Sequence, residues 1–540
     1  MAARIQDGAL TYAYDANGNR TRMSYPNNVA AVYTHDFANR EATLAYEQSG
    51  GSQPPAIVSN ATYEPFGPLA GLTLGNGLTE TRLFDARYFP DGIQVPGRLD
   101  LDYTVDAVGN PLQITDLLTP SQSRTYGYLD NQYFLTQGNG PWGTRSWTDD
   151  RIGNRLTETR GALIDTYGYT GGNPKLQTVT LPSGTGTKYL FYDVTGNQTQ
   201  DSRPDNEYQL TYDAAGRLTR LGEVATDTST RLLYDGRGFL RESRQDLSVC
   251  APLLTQATYT SEGVLVHRAQ RNALAPAAAP LDAAYIFYFA GRPVAILKGN
   301  VPSTLNRIYL TTDHLGTPVL ATSAAGVTVW AGGFEPFGAD WSGAQGAGMF
   351  LRFPGQWEDA SWAGGGLESG LHYNVHRWFG SETSRYTVPD PIGLAGGYNL
   401  YLYVDANPLS STDPTGLQAS EWHTPTNEEV AELTQRACAR QAFFDNYGDM
   451  REANWKLSDK YFHCKANCEA ARCGKFGVKE ACGLSDMREW FDGLKGDPPS
   501  ASAADQAANR FGREQAQRRI NVSCQIICAR YRPKGLPGKY

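Results

Sequence analysis

The chain has 540 residues, with 48 Lys+Arg against 56 Asp+Glu and a formal net charge of −8. Its 57 Gly, 30 Pro and 31 Tyr suit an extended β-structure, and an acidic body of this kind excludes a general nucleic-acid binder. No run of about 18 apolar residues exists, so nothing is expected to span a membrane, and the N-terminal stretch lacks the apolar segment of a cleavable secretory signal.

The first predicted element is a repeat. It reads Tyr14-Asp15-Ala16-Asn17-Gly18-Asn19 and recurs as Tyr192-Asp193-Val194-Thr195-Gly196-Asn197, Tyr212-Asp213-Ala214-Ala215-Gly216-Arg217 and Tyr234-Asp235-Gly236-Arg237-Gly238, with weaker copies at Asp106–Asn110 and Asp150–Asn154. From position 109 the glycines fall at 109, 153, 196, 216 and 238, a unit of about 21 residues with two copies degenerate. Those copies should lie near Tyr128-Leu129-Asp130 and Gly171-Gly172-Asn173. Asp accepts hydrogen bonds from the backbone of its own turn, and Gly supplies a positive φ without steric cost. Strand-forming flanks such as Leu190-Phe191-Tyr192 make each unit a β-hairpin. Hairpins stacked this way bury a face that none could bury alone. The chain starts inside a repeat, which implies the downstream part of a longer array.

Residues 270–282, rich in Ala and Pro, read as an exposed loop. Beyond them the wording changes. YLTTDHLGTP begins at Tyr309 and FEPFG at Phe334; Leu371-His372-Tyr373-Asn374-Val375-His376-Arg377-Trp378-Phe379 follows. Two near-identical turns, Asp390-Pro391-Ile392-Gly393-Leu394 and Asp413-Pro414-Thr415-Gly416-Leu417, flank Gly396–Val404, which reads as a strand with alternating aromatics. Charge and cysteine then shift together. Residues 418–540 hold 19 basic and 16 acidic residues against 29 and 40 before them, and seven of the eight cysteines.

These stretches resemble the RHS/YD-repeat family and its repeat-associated core, over roughly residues 1–417. The resemblance implies a β-shell that winds into a hollow container around a variable C-terminal polypeptide, usually a toxin, as in the C subunits of insecticidal Tc toxins. It also implies an intramolecular aspartyl peptidase. Asp390 and Asp413 match the family's two catalytic aspartates and Arg377 its associated arginine, with Arg385 a second choice; the cut falls between Leu417 and Gln418. Two carboxylates held close do not both ionise at neutral pH, so one serves as acid and the other activates water. Asp-Pro-x-Gly is equally a plain type I turn, and sequence spacing alone does not bring the two aspartates together. Where the family has two tyrosines and then Gly-Arg-Phe, this chain has Trp378-Phe379 and Ser384-Arg385-Tyr386, swaps that keep aromatic packing. His314, His372 and His376 read as shell histidines bonded to backbone, because no further ligand sits at metal spacing.

Residues 418–540 switch to a helical period. A capping box at Thr426–Glu429 opens a first helix carrying Val430, Leu433, Ala437 and Phe444; a second starts near Ser458 and stops at Gly474; a third covers 478–491, a fourth 503–517, and a short fifth holds Cys524 and Cys528. Cys464/Cys468 and Cys524/Cys528 lie at i, i+4 on one helix face each. Two disulfides come first, reduced thiols packed as small apolar groups second, and a zinc site third. The tail resembles serum amyloid A over about residues 445–540, through Asp449–Asn454, Ser458–His463, Ser485–Glu489, Ala504–Asn509 and the closing RPKGLPGKY. That family is a small helical bundle that binds lipid and self-associates.

The fold class expected is therefore mainly β: a hairpin array forming part of a shell (1–284), a repeat-associated core with a self-cleavage motif (285–417), and a small all-α bundle (418–540). The function expected is a shell protein that cuts itself once after Leu417 and releases a helical effector, with no cofactor and no other enzyme activity. The alternative is a non-cleaving structural or cell-surface interaction protein with a lipid-binding tail. A hydrolytic toxin is disfavoured, since the tail has no H-x-E…C-x-x-C or H-E-x-x-H arrangement. The partners implied are the chain's own C-terminal domain as cargo, an immunity protein, a secretion-system component, and a lipid or membrane for the tail, without nucleic acid. The location implied is synthesis in the cytoplasm without a cleavable signal, followed by secretion or delivery to a cell surface.

Overall fold

The computed structural model describes residues 10–48, 55–65, 67–130, 132–171, 173–246, 251–299, 305–359, 362, 370–417, 420–421, 438–439, 442–443, 445–455, 458–475, 477–482, 484–485, 499–519 and 522–540. They divide into two compact units, Met1–Trp422 and His423–Tyr540.

In the first unit, 29 strands among the described residues form one antiparallel meander from Thr11–Tyr14 to Thr328–Ala331, each paired with the next in sequence. The Asp turn drives it. At Asp193 one carboxylate oxygen accepts the backbone N–H of Thr195 and of Asn197, both at 2.9 Å, and Gly196 (φ +96°) donates to the Asp193 carbonyl at 3.1 Å. In several units the tyrosine ahead of the turn reaches one repeat back. The hydroxyls of Tyr128, Tyr192 and Tyr234 donate to the carbonyls of Pro111, Leu176 and Leu218 at 2.9, 2.8 and 2.7 Å. Tyr-Asp is thus one device, in which the aspartate closes its own turn and the tyrosine ties it to the previous one.

The degenerate copies are turns as well. Leu129 N–H bonds the Phe134 carbonyl, and Asn173 N–H that of Thr170; Gly172 lies outside the described residues. Two copies escape a glycine count, because Asn39 (φ +61°) after Asp36 and Tyr88 (φ +66°) after Asp85 occupy the left-handed position. The ladder does not pause at residue 285, where strand Asp282–Phe289 pairs on both sides.

The sheet coils on itself. Tyr25 and Tyr33 donate hydroxyls to the carbonyls of Ile286 and Tyr288, and Met23, Leu44 and Ile57 share a core with Phe287, Phe289 and Leu297. After Ala331 the chain leaves the ladder and fills the inner face. Phe350, Phe353, Trp357, Trp378, Phe379 and Tyr403 pack against Leu210, Leu232, Leu240, Ile286, Leu310 and Trp330 from the strands. Close aromatic pairs such as Phe379–Tyr403 (4.8 Å between centroids) add to apolar burial here.

Gly396–Val404 is not a strand. It is a chain of tight turns with one isolated bridge, Arg385 to Leu402, and left-handed backbone at Val404, Asp405 and Ala406. The aromatic alternation is real, since Tyr401 and Tyr403 are buried and Tyr398 is exposed. The segment has to double back between the two Asp-Pro turns, so its amides bond locally, Leu402 N–H to Asn399 and Ala406 N–H to Tyr403, instead of to a neighbouring strand.

In the second unit, helix α1 (Asp459–Ala471) is buried almost all round and packs on α2 (Pro499–Arg518) and the short α3 (Cys524–Ile527). A Cβ on Gly512 would lie 2.3 Å from the Cys464 carbonyl oxygen, so α1 and α2 touch backbone to side-chain-free backbone there. Cys464 is bonded to Cys528, Cys468 to Cys524, and Cys438 to Cys473, leaving Cys482 as a free thiol. The closing residues pack back: Arg532 donates to the Tyr461 hydroxyl at 2.8 Å, and Tyr540 is buried. The capping box with Val430, Leu433, Ala437 and Phe444, and the end of the third helix beyond residue 485, lie outside the described residues.

Candidate active site

A three-stranded sheet, Leu371–Asn374, Arg377–Gly380 and Arg385–Tyr386, carries the site. Asp390 and Asp413 each head the same Asx turn as the outer repeats. Ile392 N–H donates to Asp390 Oδ1 and Leu417 N–H to Asp413 Oδ1, both at 3.0 Å. Arg377, Asp390 and Asp413, far apart in sequence, meet here. One guanidinium nitrogen, Arg377 Nη2, lies 2.9 Å from Asp390 Oδ2 and 3.2 Å from Asp413 Oδ2, with all three side chains at most 3% exposed. The same arginine donates through Nε to the Gly416 carbonyl and through Nη1 to that of Leu400 at 3.1 Å.

Three further residues complete the arrangement. Tyr386 places its ring 3.5 Å under the Arg377 guanidinium and donates its hydroxyl to Asp413 Oδ2 at 2.7 Å. Asn374 donates to the Asp413 carbonyl at 2.9 Å and to the Tyr386 hydroxyl at 2.8 Å. A Cβ on Gly396 would lie 2.3 Å from Asp390 Oδ2 and 2.7 Å from the Leu417 carbonyl oxygen, so carboxyl and carbonyl share a space that only glycine leaves open. Sequence reasoning gave Tyr386 a packing role and passed over Asn374 and Gly396. A hydroxyl where the family has Phe was the available signal for Tyr386; Gly396 and Asn374 carried none.

Environment separates these turns from the outer ones. Asp15, in an exposed copy, is held below the usual carboxylate range by the Asn19 amide. Burial pushes Asp390 above that range; Arg377 opposes the rise and the Asp413 charge adds to it. Burial likewise raises the Tyr386 hydroxyl, with the Asp413 charge acting in the same direction. His376, on the next residue to Arg377, is lowered by burial, while Asp413 pulls the other way.

The remaining candidate residues lie elsewhere. Arg385 donates to Pro174, Asn154 and Asn399. His372 bonds Gln356, and His314 the Leu409 carbonyl. Leu417 is described and Gln418 is not; Ser411–Thr412, before the Asp413 turn, pairs antiparallel with Ser420–Glu421. The zinc reading of Cys464, Cys468, Cys524 and Cys528 is overturned, because all four sulfurs are spent in disulfides and none is a thiolate. Among the described residues no group of His, Cys, Asp and Glu could hold a metal, and no helix is long and apolar enough to cross a membrane.

The meander, the inner core and the paired Asp-Pro turns are what the chain shares with RHS/YD-repeat proteins that carry a repeat-associated core, a resemblance that comparison with known proteins bears out. The chain is 29% identical over 337 residues to the double-stranded DNA deaminase toxin A of Burkholderia cenocepacia, covering 59% of this chain and 19% of that protein. It is 26% identical over 486 residues to toxin protein Tse5 of Pseudomonas aeruginosa, covering 76% and 36%. The Tc holotoxin pore of Photorhabdus luminescens shares the fold at a TM-score of 0.58 and 18% identity, over 77% of this chain and 21% of that one. The chain thus spans well under half the length of these bacterial proteins. Residues 430–540 match the family model described as serum amyloid A protein, and 94 residues are 46% identical to serum amyloid A-5 of Mesocricetus auratus, of which they cover 82%. Through this C-terminal region the chain belongs to the serum amyloid A family.

Proposed function

We propose that this protein is an Rhs-type shell that cuts its own chain once, between Leu417 and Gln418, and so frees the serum amyloid A-like domain as its cargo. The observation that carries the reading is the shared space of Asp390 Oδ2 and the Leu417 carbonyl oxygen, beside an arginine that bridges both aspartates. Asp413 is the base: it takes a proton from a water, whose oxygen bonds the Leu417 carbonyl carbon. Asp390 is the acid: buried and raised, it gives its proton to the carbonyl oxygen. Collapse of the tetrahedral centre returns that proton to Asp390 and breaks the C–N bond, and the proton on Asp413 leaves with the Gln418 nitrogen. Arg377 keeps the charge of the pair tolerable throughout. Tethering supplies the rest, because Leu417 is held by Asp413 itself.

The freed domain acts after delivery from the producing cell, with a secretion component to export it and an immunity protein to restrain it. Its three disulfides fit an oxidising destination, and its family fits contact with lipid. Expression of the wild type with Asp390→Asn and Asp413→Asn tests the cleavage. Two bands on a denaturing gel are expected for the wild type and one full-length band for each variant. A cut band in both variants ends the assignment of these aspartates as the peptidase, and an intact wild type favours a non-cleaving structural protein.

A further inference from the structure

The site holds a tyrosine hydroxyl that the two-aspartate scheme does not use. Tyr386 lies on the strand opposite Phe379, is 2% exposed, and makes two contacts with the machinery: its ring against the Arg377 guanidinium and its hydroxyl on Asp413 Oδ2. Asn374 fixes that hydroxyl by donating to it, which leaves the hydroxyl's own proton pointed at the carboxylate. Asp390 receives no such donor among its described partners, which are Arg377 and the Ile392 N–H. The two carboxylates therefore sit in unlike surroundings, although the Asp-Pro turns that carry them are nearly identical.

We propose that Tyr386 is a positioning residue for self-cleavage, its hydroxyl holding Asp413 as the ionised member of the pair and so fixing Asp413 as base and Asp390 as acid. This rests on the self-cleavage reading. A hydrogen bond to the charged form of a carboxyl favours that form, and a buried O–H···O⁻ contact is among the stronger ones. The charged and titratable groups facing Asp413 are Arg377 and Asp390 in the site, Tyr386 from its strand, His376 from the hairpin turn and Tyr403 from the inner core. Tyr386 couples to it through a neutral hydroxyl bonded to the carboxylate itself, and losing that hydroxyl leaves the ring in place.

The test is Tyr386→Phe in the full chain, unfolded in urea and diluted into buffers from about pH 4 to 9, with the cut band followed in time against the wild type and Asp413→Asn. The ring and its packing survive in Phe. Cleavage about tenfold slower at low pH is expected, with the acid limb of the pair's profile moved to higher pH by about one unit. An unchanged rate overturns the proposal, and so does slower cleavage with an unmoved profile, which would mark a packing effect. Should Asp413→Asn itself cut, the self-cleavage reading falls instead, whatever Tyr386→Phe does.

Discussion

Gly396 lies against Leu417 so closely that its missing Cβ would sit 2.7 Å from the Leu417 carbonyl oxygen, and 2.3 Å from the Asp390 carboxyl beside it. Gly396 ends a short 3-10 turn, and its backbone needs no left-handed φ. Gly396→Ala is therefore free of backbone strain and acts only through the methyl group. It must push Asp390 or the Leu417 carbonyl aside by a large fraction of an ångström. Self-cleavage slowed on the order of 10²-fold is expected, on a gel time course, with an unchanged far-UV spectrum.

Asp149 gives a pH test away from the site. It pairs with Arg155 across a bulge, and burial raises its pKa to about 6 against the lowering effect of Arg155. A carboxyl raised on folding contributes stability that is complete below its unfolded pKa and is lost as pH rises through 6. Asp149→Asn should match the wild type in thermal midpoint near pH 4 and exceed it near pH 8, by the equivalent of about 1–2 kcal/mol. A gap that shrinks as pH rises would contradict the burial argument.

The disulfides predict a split response to reductant. The region before residue 418 has a single cysteine and forms no internal disulfide, whereas three cross-link the C-terminal unit. Dithiothreitol should destabilise that unit by about 2–5 kcal/mol and leave the β-sheet transition in place. Limited proteolysis with and without reductant, scored by which fragment survives, checks this.

Gly512 makes a related prediction within the bundle. Gly512→Ala gains helix propensity but sets a methyl 2.3 Å from the Cys464 carbonyl, between two disulfide-bearing turns of α1. Overpacking should win, at a net cost of about 1–3 kcal/mol in the unit's denaturant midpoint.

A turn test separates the repeat's two parts. Tyr192→Phe removes the hydroxyl's bond to the Leu176 carbonyl, and Asp193→Ala removes two backbone acceptor contacts and the side-chain bonds to Thr195 and Asn197. The aspartate change should cost more in the apparent midpoint, roughly 2 kcal/mol against roughly 1.

The repeat was legible in the sequence because its physics is local. An aspartate closing its own turn needs nothing beyond five residues, so wording and spacing carry the hairpins, and Asp36 and Asp85 escaped only because Asn and Tyr stand where glycine was sought. The two Asp-Pro turns and Arg377 were legible through resemblance, and α1 and α2 through their period. What the tertiary structure alone decided is which turns differ. Asp15 and Asp390 share a motif, yet the Asn19 amide lowers the exposed one while burial raises the other against the pull of Arg377. The doubling-back of 396–404, read in sequence as a strand, is what brings Gly396 to Leu417, and it depends on the inner core rather than on local propensity. The pairing of Cys464 with Cys528 and of Cys468 with Cys524 was likewise fixed by the way α1 meets the segment that starts at α3, since connectivity depends on which sulfurs packing brings within bonding reach.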